Sequence, residues 1–144
     1  MRLSGVDGLQ VRQASAGTLH VELHDVLVSL LHYPYPPLFP LLRFEPLALA
    51  DLRDIACMKV GTIASRGSRR DFVDLYMRAQ TCGLREILAW FETKYAGAGH
   101  SLVHVFKALT YFRDAEHEPM PDMLVPLDWA EVQTFFTREV PRLL

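Results

Sequence analysis

The sequence predicts an α+β fold, with a small antiparallel or mixed sheet of about three strands followed by about five helices. Three observations carry this. Apolar and polar residues alternate with period two up to His32, the pattern of half-buried strands. Four prolines then fall in the eight residues Tyr33 to Pro40 and end regular structure. Beyond Asp51 the apolar residues recur at helical spacing, with cap and stop residues between the runs.

The strands come first. Leu9-Gln-Val-Arg-Gln alternates, and Thr18-Leu-His-Val-Glu-Leu puts Leu19, Val21 and Leu23 on one face. After the polar break His24-Asp25, Val26-Leu-Val-Ser-Leu-Leu-His32 completes a hairpin. A strand-first start of this kind leaves an edge without a partner. The segment 36–50 reads as a Pro-rich crossover loop packed over a core, because Leu38 and Phe39 favour burial.

Five helices follow. Asp51 and Asp54 give a D-x-x-D start resembling a capping box, for a helix from Leu52 to Ser65 that stops at Gly67. Ser68-x-x-Asp71 opens a second helix to about Gln80, with Gly83 as its stop. Leu84 to Tyr95 is amphipathic through Ile87, Leu88, Phe91 and Tyr95. Gly97-Ala-Gly99 breaks it, and a fourth helix runs from His100 to about Arg113. Glu118-Pro-Met-Pro-Asp-Met links to a last helix that starts at Asp128 and carries Phe135 and Val140 on its apolar side. The organisation is one domain over 1–144: sheet strands in 1–35, the crossover loop in 36–50 and a helical half in 51–144.

The chain has 144 residues, half of them hydrophobic and 22% charged, which suits a folded domain and excludes disorder. Its net charge of −2 supplies no global basic field, so any contact with nucleic acid must be local. The dense basic cluster is Arg66, Arg69 and Arg70. Cys57 and Cys82 stand apart from any ligand or redox spacing and read as reduced thiols. His100 and His104 fall at i, i+4 on the fourth predicted helix without a third ligand near them, so no metal site is assigned. With no apolar leader and no run of about 20 apolar residues, the expected location is the cytoplasm, away from membranes.

Lys59 is the residue whose placement asks for an explanation. At i, i+4 intervals it stacks with Ile55 and Ile63 on the apolar stripe of its helix. An ammonium there needs an anion or a route to water. Two readings stand: a packed stem whose head reaches water or a structural partner, or a catalytic or phosphate-binding lysine. Asp71 and Asp74 share a flank of the next helix. Asp71 suits a capping role at the third helical position, and Asp74 suits a solvated face. Gly67-Ser68 is not a metal-nucleotide turn. That chemistry places Gly-Ser between a strand and a helix and spaces its carboxylates D-x-D on a strand, whereas here D-x-x-D lies in a helix.

The run from Asp54 to Tyr76, above all Lys59 followed by Arg70-Asp71-Phe-Val-Asp74-Leu-Tyr76, resembles the helical core of the AbiEii/AbiGii toxin-type nucleotidyltransferases of the polymerase-β nucleotidyltransferase superfamily. Thr18-Leu-His-Val, Val26-Leu-Val-Ser-Leu-Leu, Tyr33-Pro-Tyr-Pro, Leu109-Thr-Tyr-Phe-Arg-Asp-Ala-Glu116 and Glu118-Pro-Met-Pro-Asp-Met extend the resemblance over nearly the whole chain.

The resemblance implies a partial nucleotidyltransferase fold and a type IV toxin-antitoxin-like protein. Such enzymes transfer a nucleotide from an NTP, with Mg²⁺, to RNA or protein. It implies catalytic roles for Lys59, Asp71 and Asp74, phosphate contacts for Arg66 and Arg70, and a cognate antitoxin as partner. The chain departs from the family in lacking the earlier Gly-Gly or Gly-Ser turn and the D-x-D strand. It also offers Ser29 where related enzymes often hold a third carboxylate. The expectation is therefore an N-terminally truncated, catalytically incomplete member that forms a homo-oligomer through its open sheet. The alternative is a non-catalytic interaction module on the same scaffold.

Overall fold

A computed structural model describes residues 6–144. The chain is α+β and divides into two compact units, residues 1–36 and 37–144. The sequence treats it as one domain. The division between the units falls inside the proline run.

The first unit is an antiparallel meander of β1 (Leu9–Ser15), β2 (Thr18–Leu23) and β3 (Val26–Leu31), with β2 central. The β2–β3 connection is the two residues His24 and Asp25, both at positive φ (47° and 65°). That backbone matches the twist of a tight hairpin, and Asp tolerates it better than most residues. Gly17 (φ 76°) turns β1 into β2. The β1–β2 register shifts between Val11 and Gln13, leaving Arg12 as the extra residue of a bulge. Arg12 reaches across to Glu22 at 2.7 Å. Val21, in the middle of the central strand, is buried.

In the second unit the expected crossover loop is partly regular. Leu42–Phe44 (β4) and Leu47–Leu49 (β5) form a short antiparallel hairpin around Glu45-Pro46. The prolines stop the chain only as far as Pro40, and the alternating Leu-Arg-Phe and Leu-Ala-Leu triplets are then free to pair. The helices are α1 (Leu52–Ser65), α2 (Arg69–Cys82), α3 (Leu84–Lys94), α4 (Leu102–Leu109) and α5 (Trp129–Glu139), with a 3-10 turn at Val140–Leu143. Asp51, Ser68, Ser101 and Asp128 accept backbone N–H groups at the starts of α1, α2, α4 and α5.

The helix boundaries at 52, 65 and 84 match the sequence expectation. The fourth does not. α4 starts two residues later than expected because Ser101 caps it, and it stops at Leu109. Helix α1 packs against α2, α3 and α4, and α2 against α5. Phe72 sits at the centre, its ring 5.1, 5.9 and 5.5 Å from those of Phe112, Trp129 and Phe136. Phe72, Phe91, Phe136, Ile87 and Leu109 are fully buried, so burial drives this unit's assembly. Among the described residues no helix is long and apolar enough to cross a membrane.

Candidate functional site

The turn between α1 and α2 explains the site. Arg66 ends α1, Gly67 takes φ 44°, and Ser68 starts α2. So short a connection makes the two helices antiparallel neighbours. Lys59, two turns before the end of α1, then faces the first turns of α2. Its ammonium lies 2.9 Å from Asp71 Oδ1 and 2.6 Å from Asp74 Oδ2. Both carboxylates that the sequence singled out thus meet the lysine.

The three groups differ in environment. The side chains of Lys59 and Asp71 are 22% and 6% exposed, while that of Asp74 is 44% exposed. The Ser68 hydroxyl donates to Asp71 Oδ2 at 2.6 Å, and the Asp71 amide donates back to Ser68 Oγ at 3.3 Å. Asp71 therefore closes a reciprocal cap and holds the lysine at once. Burial alone pulls the Lys59 pKa down, but the hydrogen bonds and charges of Asp74 and Asp71 outweigh it, and the net direction is upward. Lys59 is a firmly charged ammonium.

Lys59, Arg66, Ser68, Arg70 and Asp71 line an open cleft of about 680 Å³, closed on one side by Glu118, Pro119, Met120 and Pro121. Its size suits a small-molecule ligand. The exposed Arg66 and Arg70 are the expected phosphate-binding residues. Asp74 opens instead to a neighbouring groove with Leu52, Ile55 and Met77, which Lys59 also lines.

Glu118 was not singled out from the sequence. It joins the cleft because Arg69 pins its segment. The Arg69 guanidinium donates to the carbonyls of Ala115 and Glu116 at 3.0 and 2.8 Å, its backbone N–H donates to Glu118 at 2.7 Å, and its cation lies 4.8 Å from the Trp129 ring. The one sequence signal was Arg69 itself, a member of the basic cluster.

Asp54 corrects a sequence expectation. It does not share in the cap of α1, which Asp51 makes alone. Its carboxylate turns inward and accepts the Leu38 and Phe39 amides at 2.9 Å each and the Lys94 ammonium at 2.6 Å. Both side chains of this pair are buried, 3% and 2% exposed. Burial raises the Asp54 pKa, but the Leu38 amide, Lys94 and the Phe39 amide together bring it below its ordinary value. Cys57, buried close by, has its thiol pushed up to about 11, first by burial and then by the charge of Asp54. It is an inert core residue.

The histidine pair expected on one helix does not form. His100 lies before α4 and packs on Phe91 and Tyr95, each 5.4 Å away. His104 bonds the Ala64 carbonyl at 2.7 Å. As for a divalent ion at the cleft, both oxygens of Asp71 are engaged, by Lys59 and Ser68. Among the described residues no group of three His, Cys, Asp or Glu side chains converges to hold one. The donor set therefore does not fit a two-metal centre built by these residues alone.

No family model matches the chain, and no solved structure matches it. It is similar to an uncharacterized protein of Aquifex aeolicus (strain VF5), 37% identical over 134 residues. The aligned stretch takes in 90% of this chain and 63% of that protein. The chain thus spans less than two thirds of the relative's length.

Proposed function

We propose that the chain is a nucleotidyltransferase-like protein of the toxin type whose α1–α2 cleft handles the phosphates of an NTP, and that it does not transfer a nucleotide alone. The observation that supports this reading is the Lys59–Asp71–Asp74 cluster beside Arg66 and Arg70. In this reading Arg66 and Arg70 attract the phosphates, Arg by paired N–H donors. Asp71 fixes Lys59 at the cleft wall, where its remaining N–H contacts a phosphate oxygen. The charges nearly cancel: Lys59, Arg66 and Arg70 share the cleft with Asp71 and Glu118, and Asp74 pairs with Lys59 from the neighbouring groove. Phosphate binding is therefore weak and screened by salt.

Phosphoryl-type transfer needs the α-phosphate aligned with its acceptor and its charge neutralised. That requires further carboxylates, which the D-x-D of related enzymes supplies and these residues do not. Mg²⁺, an RNA or protein acceptor and a cognate antitoxin belong to the same proposal, as does a cytoplasmic location. The test is incubation with each labelled NTP, Mg²⁺ or Mn²⁺, and total RNA or cell lysate. The expected result is no transferred label. Label transfer by the chain that disappears in Lys59→Ala would overturn the incomplete-enzyme reading. A reading as a binding module draws on a different observation, the exposed apolar residues of β3.

A further inference from the structure

The two edges of the three-stranded sheet are unlike. β1 carries two devices that discourage pairing with another chain: the bulge at Arg12 and the charge of that residue. β3 carries neither. Its ladder to β2 is regular from Val26 to Leu31, and its six residues, Val-Leu-Val-Ser-Leu-Leu, are uncharged and contain no proline. Val26, Val28 and Leu30 point to the face that holds Val21, while Leu27 and Leu31 point to the opposite face at 75% and 62% exposure. Among the described residues no strand pairs with the outer edge of β3, and an apolar strand exposed on both faces with such an edge is a template for strand addition.

We propose that the outer edge of β3 pairs antiparallel with β3 of a second copy of this chain, making a continuous six-stranded sheet. A second copy is the occupant that the strand's own chemistry fits. A two-fold axis normal to the sheet sets β3 against itself, and no charge then meets a like charge. The same operation on β1 sets Arg12 near its own copy. The axis also keeps like faces together, so the faces holding Val21 adjoin and Leu27 and Leu31 gain apolar neighbours from the other copy. The pairing is independent of what the α1–α2 cleft binds.

The experiment is light scattering on the full chain across the micromolar range. The expected mass is twice 16.4 kDa. The double variant Leu27→Lys/Leu31→Lys, which changes only exposed side chains, is expected to fall to one chain with its far-UV circular dichroism retained. Gln10→Lys/Gln13→Lys on β1 is expected to stay at two chains. Hydrogen exchange on the unaltered protein gives a second reading that needs no variant: β3 amides gain protection as concentration rises, and β1 amides do not. A monomer throughout the range would overturn the proposal. So would a dimer whose mass the β3 charges leave unchanged, or concentration-dependent protection at β1 instead of β3.

Discussion

Lys59 and Asp54 are both charged residues on α1, and each is held by ions, but the two pairs differ in depth. Lys94–Asp54 is almost wholly buried, and Asp54 also carries two backbone amides of the 38–39 segment. Neutralising Asp54 removes the carboxylate charge that holds a buried ammonium, so Asp54→Asn should cost on the order of 3 kcal/mol. Lys59→Met keeps the stem and loses a partly buried ammonium that also reaches the exposed Asp74, and should cost about 1 kcal/mol, less than the wholly buried pair.

The pH dependence follows from the direction of the Asp54 shift. Its folded pKa lies below the ordinary 3.8, so its stabilisation is fully present above that value and is lost as pH falls through the depressed one. For Lys59, with its pKa raised above 10.5, the contribution is present below that value and lost in strong base. Urea unfolding of both variants, with thermal midpoints of the wild type and Asp54→Asn across the acid range, checks this. The variant should show a flatter loss of stability in acid. Equal costs for the two substitutions would contradict the distinction between the pairs.

Among the elements, the loop after α4 is pinned chiefly by Arg69, with Gln133 also donating to Glu116 and Phe112 packed on Phe72. Arg69 donates to the carbonyls of Ala115 and Glu116 and stacks on Trp129. Arg69→Ala should therefore speed amide exchange over residues 112–121 several-fold while the protection of α1 and α3 is retained, as hydrogen-exchange mass spectrometry would read. Uniform loss of protection would instead mean that Arg69 holds the whole helical unit.

The ends of α1, α2 and α3 were legible because local residues set them: Asp51 and Ser68 as caps, Gly83 as the stop between α2 and α3. The hairpin of β4 and β5 was not, since a proline run precedes it and its two three-residue strands are too short for a periodic signal. The fourth helix is shorter than its sequence predicts: apolar spacing continues past Thr110, but the chain turns there and places Phe112 against Phe72.

For the whole molecule, the candidate site was readable where its parts lie close in sequence. Lys59 on an apolar stripe, a Gly-Ser turn and a cap carboxylate imply a helix pair with the ammonium against the acids, and the distances of 2.9 and 2.6 Å follow from that geometry. Glu118 and the Pro119–Pro121 wall were beyond reach, because only the tertiary fold brings them back 49 residues to Arg69. The inward turn of Asp54 was hidden for the same reason, its partner Lys94 lying 40 residues on.

The proposed handling of phosphate groups by the α1–α2 cleft is read by NMR titration of the chain with ATP or GTP, in low and then high salt. The expected result is weak, saturable shifts centred on Lys59, Arg66, Arg70 and the Ser68–Asp71 amides, strongly reduced by salt and abolished in Arg66→Ala/Arg70→Ala. Saturable binding that maps elsewhere, or no shift at these residues at millimolar nucleotide in low salt, would contradict it.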